Sequence, residues 1–189
     1  RGLGDVYKRQ LLHSATRNYS WGSRTLIPHL QGQPDSDKPV AELWFGAHPG
    51  DPSTVDGRLL NEVIAEDPAG QLGGRVSAEY GERLPFLLKV LAAEEPLSLQ
   101  AHPSKAQAEE GFARENAAGI ELTASNRNYK DDNHKPELIV ALTDFYAMAG
   151  FRPLARTREL FAALECPELD HYVAMLDDDP SAVSYTHLT

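Results

Sequence analysis

A single cysteine, Cys166, in 189 residues leaves no partner for an internal disulfide. A fold stapled by disulfides, as small secreted domains use, is excluded, and a reducing cytoplasm is the expected compartment. No apolar run approaches the roughly 20 residues that a membrane-spanning helix needs, and no N-terminal stretch reads as an export signal. The Asn18-Tyr19-Ser20 triplet is accordingly a chance match to the glycosylation pattern. Positive charge is scarce too. Eighteen Lys and Arg stand against 28 Asp and Glu, a net charge of −10, and the isoelectric point is near 5.1. That balance argues against nucleic acid or an anionic membrane as partner, since both want a basic surface. An anionic ligand such as a sugar phosphate would have to be met by a few locally placed lysines or arginines. Internal repeats and low-complexity segments are missing, Gly73-Gly74 is too short to cradle phosphate, and no Ser-His-Asp spacing or cysteine nucleophile is visible. Asp131-Asp132-Asn133 lacks the glycine and distal glutamate of a calcium loop and reads as a turn.

What remains is an ordinary globular composition, 41% hydrophobic and 24% charged, long enough for one domain or one domain plus part of another. Residues 1–10 and 184–189 show neither periodicity nor capping signals and are expected to be non-native tails. Between them, Ala41 to His48 reads as a strand ending in the turn Pro49-Gly50-Asp51-Pro52, and Leu59 to Glu66 as a short helix stopped by Pro68. Pro85 to Ala92 reads as a buried strand, joined through Glu94-Glu95-Pro96 to a second strand, Leu97 to His102, in a hairpin. A helix should start at Ser104, with Gln107 placed for a capping box and Gly119 as its stop. Strands are expected over residues 135–142 and 145–151. Beyond Pro153 the pattern turns helical, with apolar stripes Leu160-Phe161-Leu164 and Leu169-Tyr172-Val173-Leu176.

Leu97 to His102 alternates with period two, which puts Ser98, Gln100 and His102 on one face. In His134 to Val140 the same period puts Lys135 and Glu137 together. If those faces meet, Gln100, His102 and Glu137 form an oxygen and nitrogen set suited to a divalent metal such as zinc, with a lysine and a serine beside it. From spacing alone the same residues also read as a polar, solvent-facing side of a sheet with a satisfied histidine. Lys89, inside Phe86-Leu87-Leu88-Lys89-Val90-Leu91, either snorkels to an edge or has an anionic partner. Glu42, between Ala41 and Leu43, is equally ambiguous. Trp21 and Trp44 read as core or as sugar-stacking aromatics.

Six strings narrow this. Asn18-Tyr19-Ser20-Trp21-Gly22-Ser23, residues 41–49 (AELWFGAHP), 84–91 (LPFLLKVL) and 96–103 (PLSLQAHP), with Arg127-Asn128-Tyr129-Lys130-Asp131 and Asn133-His134-Lys135-Pro136-Glu137-Leu138, resemble the type I mannose-6-phosphate isomerase family in residues and in order. The resemblance covers roughly residues 12 to 180. It implies a mainly β fold with helices, a partial cupin-type antiparallel jelly roll with the beginning of a helical subdomain. In that frame residues 11–152 are an incomplete N-terminal cupin domain and 153–183 the start of the helical part.

The resemblance also implies a mononuclear Zn2+ site held by Gln100, His102 and Glu137, and a substrate pocket lined by Trp21, Glu42, Lys89, Ser98 and Lys135; a lysine near a divalent cation has its charged form disfavoured, so Lys135 is the expected catalytic side chain. The implied reaction interconverts mannose 6-phosphate and fructose 6-phosphate through a zinc-stabilised cis-enediol. The cysteine count and the charge lead to the expectation of a cytoplasmic protein that binds neither nucleic acid nor membrane, and a monomer is expected. The family's fourth zinc ligand, a histidine, and an arginine that assists proton transfer have no counterpart here; His171 and His187 lie outside the matching context. The chain is therefore expected to be a truncated, inactive fragment. A non-catalytic sugar- or metal-binding cupin module is the alternative.

Overall fold

Short alternating segments make the strands: β1 (Leu12–His13), β2 (Ala15–Arg17), β3 (Glu42–Phe45), β4 (Thr54–Val55), β5 (Arg58–Leu59) and β6 (Leu88–Leu91). They come from a computed structural model that describes residues 11–98, 100–150 and 152–176. Both expected tails, with His187 in the second of them, fall outside those residues. The chain divides into two compact units, residues 1–98 and 99–189.

In the first unit every ladder is antiparallel, in two sheets ordered β1-β4-β5 and β2-β3-β6. The central strand β3 shows why the second sheet has two unlike faces. Leu43 and Phe45 point one way, into a cluster with Ile27, Ala92, Val40 and Val90, so burial of apolar area fixes the register. Glu42 and Trp44 point the other way. Trp44 is paired with Lys89 of β6 and Glu42 with Arg17 of β2, so the polar and aromatic side chains of three strands collect on that face. Helix α1 (Leu26–Leu30) contributes Ile27 to the core, 1% exposed. Three helices follow the β4–β5 hairpin: α2 (Leu60–Glu66), α3 (Pro68–Leu72) and α4 (Gly74–Tyr80). Pro68 does not merely end α2. It begins α3 at a position that needs no N–H, and the Asp67 side chain accepts from the Gly70 backbone N–H at 3.1 Å.

The second unit is built on α5 (Lys105–Ala117). Ser104 accepts from the Gln107 N–H at 3.3 Å while Gln107 Oε1 accepts from the Ser104 N–H at 2.8 Å, the reciprocal capping box expected from the sequence. Gly119, at φ +69°, stops the helix as expected. Helix α6 (Leu154–Leu164), a 3-10 turn (Pro167–Leu169) and α7 (Asp170–Ala174) fill the predicted helical region. Leu176, last of the second apolar stripe, is 2% exposed.

Three expected strands are corrected. Leu97 to His102 and residues 135–142 and 145–151 carry no assigned strand among the described residues (Leu99 and Phe151 lie outside them), so β6 has no hairpin partner after it. A strand exists only as part of a ladder, and no described segment pairs with these three. Their apolar side chains are uncovered: Leu138 is 90% exposed, Tyr146 94% and Met148 85%. Nor is β6 buried throughout, since Leu88 and the preceding Phe86 are exposed.

Candidate functional site

On the polar face of the first unit's central sheet, Glu42 is 5% exposed. Its carboxylate accepts from Trp44 Nε1–H at 2.8 Å and faces Lys89 Nζ at 3.5 Å. The Lys89 ammonium lies 4.8 Å from the centre of the Trp44 ring, and the Arg17 guanidinium 5.0 Å from it, both within reach of the ring's negative face. Arg17 is tied to Asp51 at 2.9 Å. Lys89 therefore has an anionic partner and is held at a defined place, while Glu42 has two donors to offset its burial. Trp44 belongs to this cluster, not to the core. Trp21 is half-buried and stacked on Tyr19 at 5.5 Å, and its carbonyl oxygen accepts the backbone N–H groups of Glu94 and Glu95. Ser98 is exposed, at the end of this unit.

In the second unit, His102 follows an irregular segment and stands two residues before the helix cap Ser104. Its Nδ1 lies 2.8 Å from the carbonyl oxygen of Lys135. A carbonyl only accepts, so the ring donates there, and in the neutral imidazole Nε2 then carries a bare lone pair. That nitrogen faces Gln100 Oε1 at 3.3 Å. Two acceptors turned towards each other are satisfied by a cation between them, by a second ring proton, or by a turn of the Gln100 amide that presents its NH2 instead. Two atoms each about 2.1 Å from one tetrahedral ion stand about 3.4 Å apart, the spacing of a zinc-bound pair. Fixing the far ring nitrogen on a carbonyl is also how metal-ligating histidines are oriented. The spacing of Gln100 and His102 is thus compatible with two ligands of one zinc ion. The Nδ1 contact brings His102 against the backbone of Lys135 without a strand ladder. Glu137 is exposed two residues beyond Lys135. Lys135 Nζ is paired with Asp131 at 3.1 Å, and Asp131 Oδ1 accepts from the Asn133 N–H at 2.9 Å, the expected turn.

Sequence reasoning missed what supports this loop. Arg127 is buried, and its guanidinium donates to the carbonyls of Tyr129 at 2.6 Å and Ile120 at 2.7 Å and to Asn116 Oδ1 at 2.7 Å. Glu115 lies 3.0 Å from Arg127 Nε and accepts from the backbone N–H groups of Asn128 and Tyr129. Burial alone would push the Glu115 carboxyl up; hydrogen bonds from Tyr129 and Asn128, with the Arg127 charge, hold it below the usual carboxylate range. The cue lay in the helix itself. Ala108, Gly111 and Glu115 form its buried face at spacings of three and four, so one glutamate sits on an inward stripe. Gly111 is there because the Tyr129 ring presses on it: a Cβ would come within 2.5 Å of that ring.

Known proteins resemble this chain closely. A family model described as phosphomannose isomerase type I, catalytic domain, matches residues 10–154. Mannose-6-phosphate isomerase of Escherichia coli (strain K12) is 46% identical over 176 residues, covering 89% of this chain and 45% of that protein. The Homo sapiens protein of the same name is 41% identical over 157 residues, covering 76% and 34%. A solved mannose 6-phosphate isomerase bound with zinc and yttrium superposes with a TM-score of 0.72 at 42% identity, covering 95% of this chain and 46% of that one. The Salmonella typhimurium enzyme bound to its substrate, f6p, and to zinc gives 0.72 at 37% identity, with 95% and 52% covered. The chain spans about half the length of the curated relatives it matches.

Proposed function

The chain belongs to the type I phosphomannose isomerase family, and we propose from that membership that this protein interconverts mannose 6-phosphate and fructose 6-phosphate, with Gln100, His102 and Glu137 as zinc ligands. Its two small antiparallel sheets and helices are part of a cupin-type fold, shared with the zinc-bound isomerase structure. The observation that carries the proposal is His102, held by the Lys135 carbonyl on one side and turned to Gln100 on the other. Solved mutants of the Salmonella typhimurium enzyme add support. They replace a lysine, a histidine thirteen residues later and a glutamate thirty-five residues beyond that. Lys89, His102 and Glu137 stand at the same intervals. A second histidine replaced in that enzyme lies more than a hundred residues past the glutamate, farther than these 189 residues extend.

The reaction moves a proton between adjacent carbons through a cis-enediol and needs a group that takes and returns it. When bound, zinc supplies positive charge that polarises the sugar oxygens and favours negative charge developing on them. Lys135, directed by Asp131, is the proposed catalytic side chain next to the ligand Glu137. Lys89, steered by Glu42 and Trp44, meets the substrate together with Ser98, and Trp21 and Glu42 line the pocket. In a chain of net charge −10, such placed cations are what draws an anionic sugar phosphate.

The organisation proposed is a catalytic cupin domain over 11–152 and the start of a helical subdomain over 153–183. A cytoplasmic monomer without nucleic-acid or membrane partners completes the reading; among the described residues no helix is long and apolar enough to cross a membrane. For these 189 residues by themselves, weak zinc retention and little turnover are expected.

The test is zinc content and isomerisation in the native gene product and in His102→Ala and Glu137→Ala. Both variants should lose most bound zinc and turnover together. Wild-type zinc content in both would remove the ligand assignment, and bound zinc without turnover in the unaltered protein would make it a binding module.

A further inference from the structure

Lys105 is the first residue of α5, where the helix dipole disfavours a cation. Its ammonium nevertheless donates to the Asp132 carbonyl at 2.8 Å and to Asn133 Oδ1 at 3.0 Å, and it is ion-paired with Glu109 at 3.2 Å. The Asp132 carboxylate stands 3.8 Å away. One contact lies along the helix; the others reach across to a loop twenty-seven and twenty-eight residues later.

Both halves of the candidate metal centre end at this clip. On one side the capping box fixes Ser104, with His102 two residues before it. On the other, the Asp131–Asn133 turn is closed by its own hydrogen bond, and Lys135, whose carbonyl receives His102, is two residues further on. Glu115 and Arg127 hold the same loop at residues 127–129. Between that anchor and the metal-binding segment, Lys105 supplies the cross-connection to α5.

We propose, on the zinc reading above, that Lys105 is a positioning residue for the metal centre: by tying the first turn of α5 to Asp132 and Asn133 it sets the separation of His102 and Glu137. It touches neither ion nor substrate and acts through the backbone of residues 132–137.

The experiment measures zinc affinity by chelator competition, and thermal stability after zinc removal, in the native gene product and in Lys105→Ala, Lys105→Arg and His102→Ala. Lys105→Ala should weaken zinc binding about tenfold or more, the effect expected of an orienting partner, with an unchanged melting temperature of the zinc-free protein. Lys105→Arg, which keeps donors for the Asp132 and Asn133 oxygens, should restore most of the affinity. Wild-type affinity in Lys105→Ala while His102→Ala loses zinc would overturn the clip and leave the zinc reading standing. A parallel fall in zinc-free stability, not relieved by arginine, would overturn it in favour of a merely structural lysine. Retention of zinc by His102→Ala would sink the zinc reading and this one with it.

Discussion

Glu115 keeps a negative charge inside the second unit because every direction around it supplies a donor: Arg127, two backbone N–H groups and the Asn128 amide. Removing one partner of such a buried pair leaves the other uncompensated. Glu115→Gln is expected to cost about 3 kcal/mol at neutral pH. The sign with pH follows from the lowered carboxyl. A group held below its unfolded value stabilises fully above the ordinary carboxylate pKa of about 4.3, and that stability fades as pH falls through the folded value. Urea denaturation of wild type and Glu115→Gln should therefore show a wide gap at pH 7 that narrows in acid; a pH-independent gap would deny the carboxylate this role. Lys89 and Glu42 teach a related lesson about legibility. Each alone was ambiguous in the sequence, because a lysine or glutamate in an apolar strand has two readings. Each explains the other once β3 and β6 pair Trp44 with Lys89. That pairing spans forty-five residues, and no local pattern encodes it.

Among elements, those whose signals are local were readable. The α5 capping box was legible because its residues lie three apart. Ser104→Ala should cost about 1 kcal/mol and Ser104→Gly only about a few tenths, measured as shifts in urea midpoint; equal losses would mean the hydroxyl is not what holds the helix start. A local signal went unread in Asp56-Gly57, where both residues take positive φ, 49° and 77°, and turn β4 into β5. An Asp-Gly pair between strands is a strong hairpin cue. The strands expected at 97–102 and 135–151 failed for the opposite reason. Alternation and apolar content say what a segment would bury, but not which ladder will accept it. Of the expected meeting of the two segments, the contact shown is that of His102 with the Lys135 carbonyl. One ring-to-carbonyl hydrogen bond, not a sheet face, makes the contact.

At the scale of the molecule, the apolar side chains of residues 138–148 stand open. Leu138, Val140, Leu142, Tyr146 and Met148 are all more than 70% exposed, and contiguous apolar surface of that kind attracts apolar probes. The 189-residue chain should raise the fluorescence of anilinonaphthalene sulfonate, and Val140→Thr with Leu142→Thr should lower it; a dark titration would show the segment covered in solution. The contact at Gly111 reaches further. The smallest possible addition there, a single methyl group, drives against the Tyr129 ring and through it against the loop that leads to Glu137, one of the proposed ligands. On the zinc reading, a cell bearing alanine at this position has a micronutrient-conditional defect. If the protein has the proposed isomerase activity, growth on mannose should fail in lean medium and return when the trace metal is supplied in excess, although residue 111 is no part of the proposed pocket.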